Sequence, residues 1–499
     1  MNQRLRTPAQ VTVLGLGLFG GGAGAARYFA ERGARVIVSD SRSPETLAES
    51  IESLKGLPID YRLGGHRPED FAGSELVIVN PGVPPEAPAL EMARRAGARL
   101  ETEINLLFAL SPAPVAAITG TNGKSTTTAL LAEMLRAAGR TVWLGGNLGG
   151  SLLPETDRMA AGDVVVIEIS SFQCERLAWL QNDDAAACKG KACLAAAQEG
   201  AQPAIVGAQH AAPLTPQSIR SVASPKLAMV LNLTPNHFDR HRDMEEYAGA
   251  KKQLLLRQGP GDFAILNGED AILRQWADAG RGRKFFYGAS DSAPNGIQLR
   301  GKHVRLWREG NWLEVSLERM RLPGAHNRFN AACASAAAWL LGAPGEAIER
   351  AVESFHGLPD RLELVAEKQG VRYYNDSIAT TPESTMVALD SFEQPIILIA
   401  GGSSKNLSYA EVGKRIARRA KAVVLMGATG PLIERAIRDS GEGSPELRFV
   451  ADLPEAVAAA RSLAASRDVV LLSPASASFD MFRNYAERGQ KFRELVRTL

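Results

Sequence analysis

Short apolar runs alternate along the chain with segments of helical period, and glycine or polar residues follow most of these runs. The first run, Val11–Leu14, meets a glycine-rich turn, and an Ala-rich segment typical of a helix separates it from the run Arg35–Ser39. Because a strand, a helix and a second strand follow one another closely, this segment predicts a βαβ unit with parallel strands. A G-x-G-x-x-G spacing marks its turn, at Gly15, Gly17 and Gly20.

The same alternation continues to the end of the chain. The run Val115–Thr119 precedes a glycine loop and a helical segment, and further strands are predicted within GDVVVIEISSFQ, KLAMVLNLTPNHFDRH, QPIILIAGG, AVVLMG and DVVLLSPAS. Strands that alternate with helices indicate parallel, doubly wound sheets, whose ligands bind at the carboxyl ends of the strands. Polar residues follow several of the predicted strands at those ends, so we expect the ligand sites there.

Three α/β domains are predicted from these blocks. The first, residues 1–111, is Rossmann-like; the second, 112–357, is a central mononucleotide-binding domain of the P-loop ATPase type; and the third, 358–499, is again Rossmann-like. The prolines of SPAP, at 111–114, suit a linker between the first two domains. Residues 181–224 are rich in Ala and Gln without a sustained amphipathic period, and we interpret them as an insertion in the second domain.

Composition narrows the classes of partner and location. The chain has 499 residues, 45% of them hydrophobic and 22% charged, with a formal net charge of +2 and 4 cysteines. A near-neutral charge gives no reason to expect a nucleic-acid partner, and no apolar run approaches the ~18 residues of a membrane span. So few cysteines predict no disulfide framework, and without a signal-peptide core at the N-terminus we expect a cytoplasmic location. Cys188, Cys193 and His210 match no familiar zinc spacing, which disfavours a metal site there.

The segment AAITGTNGKSTTTALLAEML predicts a phosphate-binding loop that leads into a helix. It ends like a Walker A loop, with Gly123-Lys124-Ser125, but its leading glycine, Gly120, lies closer to this ending than the Walker spacing requires. In such a loop, backbone N–H groups and the positive end of the helix bind an anion. Lys124 can then reach the β and γ phosphates, while the hydroxyl of Ser125 or Thr126 binds Mg²⁺.

The loop sequence GTNGKST resembles the ATP loop of the Mur ligase family, and other segments follow in that family's order. These are GGN (145–147), EISSFQCE (168–175), LNLTPNHFDRH (231–241), GAHNRFNAA (324–332), GLPDRLE (357–363), YNDSIATTP (374–382) and LLSPASASFDMFRNYAERG (471–489). Together they span nearly the whole chain. The SSFQ segment, the HFDRH segment and the GLGLFG opening are most similar to the branch of the family that adds glutamate to a peptidoglycan precursor.

The resemblance implies an ATP- and Mg²⁺-dependent amide ligase that adds D-glutamate to UDP-N-acetylmuramoyl-L-alanine (UDP-MurNAc-L-Ala) through an acyl phosphate. The first domain then binds the UDP-substrate, the central domain binds ATP, and the third domain binds the amino acid. Phosphoryl transfer depends mainly on positioning and charge neutralisation, so its site needs cations. We expect a monomer that acts on small molecules, without a nucleic-acid or membrane partner.

The resemblance also implies roles for particular residues. The catalytic residues are Lys124, His237 and Lys251. The ATP contacts are Gly120, Thr121, Asn122, Gly123, Lys124, Ser125, Thr126, Asn327, Asn330, Arg361 and Asp376. The metal ligands are Ser125, Glu168, His237 and Lys251, the last as a lysine carbamylated by CO₂. The UDP-substrate contacts are Leu16, Phe19, Asp40, Ser41, Asn80, Gly82 and Asn147, and the amino-acid contacts are Thr380, Lys405, Ser478 and Tyr485.

The chain departs from the family pattern at the predicted amino-acid site. The family's N-D-S-K-A-T reads N-D-S-I-A-T here, so Ile378 replaces a lysine near the phosphates and the incoming amino acid, and Tyr485 stands where phenylalanine is common. Without the resemblance, Lys251 beside Lys252 would be interpreted as part of a solvated helix face. Alternatives therefore stay open: a ligase of the same family for another amino acid, a nicotinamide oxidoreductase based on the first domain, or a protein that binds ATP without turnover.

Overall fold

The computed structural model describes residues 7–17, 20–177, 224–238, 240–404 and 407–499. Two of the predicted ligand contacts, Phe19 and Lys405, lie outside the described residues. Except for Ser224, the predicted insertion also lies outside the described residues, and it includes Cys188, Cys193 and His210.

The chain divides into two compact units. One consists of Met1–Val315 and Ala332–Glu349, and the other of Ser316–Ala331 and Arg350–Leu499. The first unit contains two β-sheets, and the second unit contains a third sheet.

The first sheet has parallel strands in the order β3-β2-β1-β4-β5. Its strands are β1 (Gln10–Leu14), β2 (Arg35–Asp40), β3 (Ile59–Leu63), β4 (Leu76–Val79) and β5 (Arg99–Glu101). Its helices are α1 (Gly21–Ala30), α2 (Ala48–Glu52), α3 (Pro88–Arg95) and α4 (Glu103–Leu110). This is the order of dinucleotide-binding sheets, in which the reversal between β1 and β4 opens a crevice for a ligand. The predicted glycine turn follows β1 at this crevice.

The second sheet has the order β14-β13-β12-β11-β10-β9-β6-β8-β7. Its strands are β6 (Val115–Thr119), β7 (Val142–Gly146), β8 (Val164–Glu168), β9 (Leu227–Val230), β10 (Phe263–Asn267), β11 (Arg283–Tyr287), β12 (Asn295–Arg300), β13 (His303–Arg308) and β14 (Asn311–Ser316). The helices are α5 (Lys124–Ala137), α6 (Ser171–Arg176), α7 (Met244–Leu256), α8 (Ala271–Arg274), α9 (Ala325–Leu340) and α10 (Gly345–Ser354). β6 pairs in parallel with β8 and β9 and is buried along its whole length, as its continuous apolar run VAAIT predicts.

The third sheet has the order β15-β16-β20-β17-β18-β19. Its strands are β15 (Glu363–Lys368), β16 (Val371–Asn375), β17 (Ile396–Gly401), β18 (Ala420–Met426), β19 (Glu446–Phe449) and β20 (Val469–Leu472). Its helices are α11 (Pro382–Leu389), α12 (Ala410–Arg419), α13 (Gly430–Ser440), α14 (Leu453–Leu463) and α15 (Tyr485–Thr498). The central strands β16, β20, β17 and β18 run parallel to one another.

The predicted α/β class is confirmed, and each sheet lies within one of the predicted domains, whose boundaries stay predictions. The expectation of parallel strands throughout is wrong for the pairs β12–β13 and β15–β16, which are antiparallel. Only Gly301 and Lys302 separate the first pair, and only Gln369 and Gly370 separate the second. A parallel pair would need a crossover of a dozen or more residues. Among the described residues, no helix is long and apolar enough to span a bilayer.

Helices α12 and α13 pack so closely at Gly413 that no side chain fits there. A Cβ built on Gly413 would lie 2.6 Å from the Cβ and from the carbonyl oxygen of Ala436. We therefore expect Gly413→Ala to lower the free energy of unfolding of the second unit by roughly 1–3 kcal/mol through overpacking. Gly249→Ala is the matched control, because a Cβ on this helical glycine would meet no atom within 4 Å.

The control should stabilise the first unit by about 0.5–1 kcal/mol, since alanine loses less conformational entropy in a helix than glycine does. Urea unfolding of both variants measures the two effects. Equal stability of Gly413→Ala and the wild type would contradict the close packing of α12 on α13.

Candidate active site

The predicted phosphate-binding loop connects β6 to α5. β6 ends at Thr119, Gly123 caps the helix with a φ of +83°, and Lys124 is the first helical residue. Residues with a side chain rarely adopt such a φ, so glycine is favoured at this cap. The N–H groups of the first helical turn have no partner within the helix, and the positive end of the helix dipole lies at the loop. This is the geometry of an anion-binding loop.

The segment after β9 holds this loop in place. Thr121 N donates to Asn232 O at 2.9 Å, and Asn122 N donates to the Asn232 side chain at 2.8 Å. Thr234 N donates to the Thr121 hydroxyl at 3.0 Å. The Lys124 amine donates to Thr121 O at 2.8 Å, so it lies against the same loop.

Lys251 of α7 is buried behind this loop and is only 1% exposed. Its amine donates to the Thr119 hydroxyl and to Gly120 O, both at 3.1 Å. The ring of Tyr247, one helical turn earlier, lies with its centroid 4.8 Å from the same amine. The interpretation of Lys251 and Lys252 as one solvated face is therefore wrong for Lys251.

Burial changes the protonation of this lysine. Loss of hydration lowers the pKa of Lys251 to about 8, a shift that Cys174 and Glu168 oppose and the Lys124 charge reinforces. Burial also raises the pKa of the Cys174 thiol to about 11. At pH 7 roughly a tenth of the Lys251 amines are then neutral, far more than for an ordinary lysine. A buried neutral amine is a nucleophile.

Glu168 ends β8 at the same edge of the sheet as the loop. It is 5% exposed, and its backbone pairs with Ile118 of β6. Asn147 lies next to Glu168, because Asn147 N donates to Glu168 O at 3.0 Å. Glycine at position 146 permits this approach, since a Cβ there would lie 2.1 Å from the same oxygen. Asn147 itself is exposed.

The residues at this edge fit Mg²⁺. Among the described residues, no group of three or more His, Cys, Asp or Glu side chains is placed to hold a metal ion. Mg²⁺ needs no such group, since it keeps several waters and is held by one or two carboxylates together with substrate phosphates. The Glu168 carboxylate and the Ser125 hydroxyl, in the first turn of α5, are hard oxygen donors of this kind.

His237 lies on the exposed loop between β9 and α7. The sequence predicted it at the end of a strand, but β9 already ends at Val230. Its φ is +57°, and its ring packs against Phe172 with the centroids 5.1 Å apart. The nearby His241 is buried, and its ring nitrogen lies 3.1 Å from the Ser171 hydroxyl. The structure thus brings Lys124, Glu168 and Lys251 to one sheet edge and places His237 on the rim of that region.

Asp40 orders the glycine turn of the first sheet. Its carboxylate accepts from Leu16 N at 2.9 Å and from Gly17 N at 3.4 Å, and its other oxygen accepts from Arg42 N at 2.9 Å. Both Asp40 and Leu16 are buried, whereas Ser41 is exposed. Asp40 therefore shapes the turn through backbone contacts.

The turn Asn80-Pro81-Gly82 also faces this glycine loop. The Asn80 side chain accepts from Gly82 N at 2.9 Å, and a Cβ on Gly17 would lie 2.7 Å from the Asn80 amide nitrogen. The predicted UDP-substrate contacts Leu16, Asp40, Asn80 and Gly82 are thus brought together around one crevice.

Two arginines of the second sheet's domain hold this turn. Arg240 donates to Val83 O at 3.2 Å and to Pro81 O at 3.4 Å, and buried Arg176 donates to Val83 O at 2.6 Å. The Arg240 guanidinium also stacks on Phe172, 5.1 Å from the ring centroid. Sequence reasoning missed both arginines, although Arg240 lies within the HFDRH segment. The spacing of residues in the sequence does not reveal a hydrogen bond to a carbonyl that is distant in the chain.

In the second unit, Asn327 and Asn330 lie one turn apart at the start of α9 and are buried. The Asn327 amide donates to Pro323 O at 2.7 Å, and the Asn330 amide donates to Asn327 Oδ1 at 3.3 Å. Burial lowers the pKa of the adjacent His326 to about 4, and Arg361 and Arg328 add to the shift, so its ring is neutral at pH 7.

Asp376 lies in the same unit and organises the segment that carries Arg361. Its carboxylate accepts from Leu362 N at 3.2 Å and from the Ser473 hydroxyl at 2.8 Å. Burial raises the pKa of Asp376 to about 7 against the opposing effects of Ser473 and Arg361. Asp360 and Leu362, on either side of Arg361, have φ values of +61° and +41°. Such strained backbone persists only where surrounding contacts fix it, and it clusters at functional sites.

The predicted amino-acid contacts that the structure describes lie on two loops and one helix start. Thr380 N donates to Ile378 O at 2.7 Å, and Ser478 is buried, with its carbonyl accepting from Phe482 N at 2.8 Å. Tyr485 begins α15 and is 40% exposed.

Comparison with known proteins assigns the chain. Residues 9–101 match the N-terminal domain of MurD-like Mur ligases, residues 118–338 the Mur ligase middle domain, and residues 360–476 the Mur ligase glutamate ligase domain. A UDP-N-acetylmuramoylalanine--D-glutamate ligase of Roseiflexus sp. (strain RS-1) is 39% identical over 97% of this chain and 97% of that protein. The chain belongs to the Mur ligase family.

Other Mur ligases extend the comparison. A protein of the same name from Symbiobacterium thermophilum is 38% identical over 95% of each chain. Among solved structures, the UDP-N-acetylmuramate-alanine ligase MurC of Thermotoga maritima has a TM-score of 0.58 at 18% identity, covering 98% of this chain and 99% of its own. MurF of the same organism, solved with ADP, has a TM-score of 0.53 at 13% identity over 98% of this chain and 99% of its own. These two structures support the Mur ligase fold.

The burial of Lys251 predicts a pH dependence of stability. Its pKa is lower in the folded than in the unfolded chain, so its destabilisation is complete below about pH 8 and is relieved as the pH rises toward 10.5. In CO₂-free buffer, the free energy of unfolding of Lys251→Met should therefore exceed that of the wild type by up to about 3 kcal/mol at pH 7. This difference should shrink by pH 10. Urea unfolding at both pH values measures it.

The neighbouring variant Lys252→Met is the control, because the Lys252 amine lies over the Trp276 ring at 5.7 Å and is only half-buried. Its free energy of unfolding should change between pH 7 and pH 10 as that of the wild type does. A Lys251→Met gain that is the same at pH 7 and pH 10 would show that the amine is not the titrating group.

Proposed function

We propose that this Mur ligase joins the carboxylate of UDP-MurNAc-L-Ala to the amino group of D-glutamate, with ATP as the phosphoryl donor, in peptidoglycan precursor synthesis. The observation that carries the reaction type is the β6–α5 loop, with Lys124 at the helix N-terminus and Lys251 buried behind it. The choice of D-glutamate is supported by full-length relatives that carry the D-glutamate ligase name.

In the first step, a carboxylate oxygen of UDP-MurNAc-L-Ala attacks the γ-phosphorus, the bond to the β–γ bridging oxygen breaks, and ADP leaves. The loop N–H groups and Lys124 orient the phosphates and offset their charge, which is the main requirement of phosphoryl transfer. Ser125 and Glu168 would hold Mg²⁺, which supplies further charge neutralisation at the β and γ phosphates when bound. The product of this step is an acyl phosphate.

In the second step, the amine of D-glutamate attacks the acyl carbon. The tetrahedral intermediate expels phosphate, which takes the electron pair of the C–O bond, and the amine loses a proton to give the amide. Asn327 and Asn330 are proposed to bind the adenine of ATP and its surroundings, and Arg361 and Asp376 are proposed to contact the ribose and phosphates. Leu16, Asp40, Ser41, Asn80, Gly82 and Asn147 are proposed to form the UDP site.

Lys251 is proposed to act as a carbamate. Its neutral amine can attack CO₂ and release a proton, which converts a buried cation into an anion with two oxygens. Such oxygens are ligands that Mg²⁺ prefers, whereas an ammonium cannot ligate a metal. His237 keeps its proposed role as a further metal ligand from the family pattern.

The amino-acid site is proposed to include Thr380, Ser478 and Tyr485, with Lys405 as its cation. Because Ile378 replaces a lysine of the family pattern, the site has one fewer cation there for the dicarboxylate. A ligase for another amino acid is therefore the alternative that the residues support. A cytoplasmic location and a monomer stay predictions.

No observation favours a nicotinamide oxidoreductase. The first domain, on which that alternative was based, matches the N-terminal domain of MurD-like Mur ligases.

The reaction is tested by phosphate release from ATP in the presence of UDP-MurNAc-L-Ala, with D-glutamate, L-glutamate and other amino acids offered separately. We expect release that requires both UDP-MurNAc-L-Ala and D-glutamate. Lys124→Ala should reduce the rate by about 10²-fold or more, because an electrostatic contact to the transition state is lost. Release by the wild type with another amino acid but not with D-glutamate would contradict the proposed specificity. Near-normal release by folded Lys124→Ala would remove the loop from the mechanism.

Arg240 is expected to support binding of the UDP-substrate through the turn at Pro81 and Val83. Arg240→Gln removes its contacts to these carbonyls, so the KM for UDP-MurNAc-L-Ala should rise about tenfold, as for the loss of roughly 1.5 kcal/mol of charge-assisted hydrogen bonding. The KM for ATP should change less. Initial-rate kinetics with each substrate varied in turn measures both constants.

Arg242→Gln is the matched control, since this side chain is 84% exposed and pairs with Glu246. It should leave both constants near their wild-type values. Similar kinetics in the Arg240 and Arg242 variants would mean that Arg240 does not support the turn.

A further inference from the structure

Arg488 of α15 is a fully buried arginine whose donors all point to loop atoms. It is 0% exposed. Its Nε donates to the Ser377 hydroxyl at 3.0 Å, and its Nη2 donates to Ser377 O at 2.8 Å. Nη1 and Nη2 each donate to Ser476 O at 3.3 Å, and Nη1 also donates to Ala477 O at 3.4 Å. One guanidinium therefore joins α15 to two separate loops.

Each loop that Arg488 contacts carries a residue of the proposed amino-acid site. Ser377 directly precedes Ile378 and lies three residues before Thr380, and Ala477 directly precedes Ser478. The Ser377 hydroxyl also donates to Tyr485 O at 2.7 Å, which fixes the start of α15. The three described residues of the amino-acid site thus share one anchor.

A further segment joins the same group. Ala477 forms an isolated β-bridge with Ser403, and a Cβ on Gly402 would lie 3.3 Å from Arg488 Nη1 and 2.1 Å from Ala477 O. The proposed cation Lys405 follows shortly after these residues in the sequence. Displacement of the Arg488 contacts would therefore disturb the described segments of the proposed amino-acid site.

Arg488 remains charged in this setting. Burial lowers its pKa to about 10, and Asp480 and Asp360 only partly oppose the shift. Carbonyl and hydroxyl oxygens, which carry no net charge, accept its hydrogen bonds. Its positive charge is thus not cancelled in its contacts, and it lies behind loops that are proposed to bind a dicarboxylate.

We propose that Arg488 is a positioning residue for the amino-acid substrate, which holds the loops of Ser377–Thr380 and Ser476–Ser478 in the geometry that binds it. The proposal rests on the proposed ligase function. It assigns the residue no contact with substrate. Its consequence is selective: loss of Arg488 weakens use of the amino acid more than use of ATP or of the UDP-substrate.

The experiment compares Arg488→Met and Arg488→Lys with the wild type. Methionine keeps an unbranched chain without donors, and lysine keeps the charge without the planar fork that reaches both loops. The readouts are the KM for each of the three substrates, kcat, and the melting temperature. We expect both variants to raise the KM for the amino acid by roughly 10- to 100-fold, since small misplacements of binding groups have effects of this size. The other KM values should stay within about threefold.

Phe492→Leu is the matched control for stability. Phe492 lies one turn further along α15, is 0% exposed, and packs in the apolar cluster with Val371 and Tyr373. This variant should lower the melting temperature without a selective rise in the KM for the amino acid. If it reproduces the kinetic pattern of the Arg488 variants, Arg488 acts through general stability and the proposal is overturned.

The remaining outcomes are also decisive. An unchanged amino-acid KM in folded Arg488→Met overturns the proposal. If Arg488→Met does not fold, the folded Arg488→Lys variant decides in the same way, and if neither folds, the residue is a stability determinant and the proposal is overturned. A wild type that turns over another amino acid contradicts only the proposed specificity, because the Arg488 variants are then assayed with that amino acid.

Discussion

The architecture of the proposed nucleotide site depends on the burial of the Lys251 amine against the end of β6. Its hydrogen bonds to the Thr119 hydroxyl and Gly120 O connect α7 to the first residues of the phosphate-binding loop. A buried ammonium is unfavourable unless it is neutralised, and here burial lowers the pKa of the amine to about 8. The same contact that shapes the loop therefore also favours the neutral amine, which the proposed reaction with CO₂ requires.

Arginines perform the corresponding task at the other loops. Loops that follow parallel strands contain carbonyl groups outside the sheet ladder, and buried carbonyls need donors. Arg240 and Arg176 supply donors to Pro81 and Val83, and Arg488 supplies them to Ser377, Ser476 and Ala477. A planar guanidinium can reach two loops at once, which a lysine ammonium does less well. The proposed substrate sites are thus held by positive charges that contact protein backbone.

The sequence predicted best those features that depend on local chemistry. Residues 120–125 contain glycines and a lysine between an apolar strand and a helix, so the boundaries of β6 and α5 could be read directly. The burial of Lys251 could not be predicted, because the neighbouring Lys252 fits the same helix equally well. Only the packing of α7 distinguishes the two lysines. The role of Asp40 in the glycine turn, and the carbonyl contacts of Arg240 and Arg488, depend on partners distant in the chain. The antiparallel pairing of β12 with β13 was not predicted, because the alternation of strands and helices was expected to continue through this segment.

The central claim is that the buried Lys251 amine captures CO₂ and becomes an anionic ligand. ¹³C NMR of the protein equilibrated with ¹³C-bicarbonate and Mg²⁺ tests it directly, with Lys251→Arg and Lys252→Arg measured in parallel. The account predicts a protein-bound carbamate carbon signal in the wild type and in Lys252→Arg that is absent from Lys251→Arg. A wild-type preparation that turns over ATP without a Lys251-dependent carbamate signal would contradict the claim.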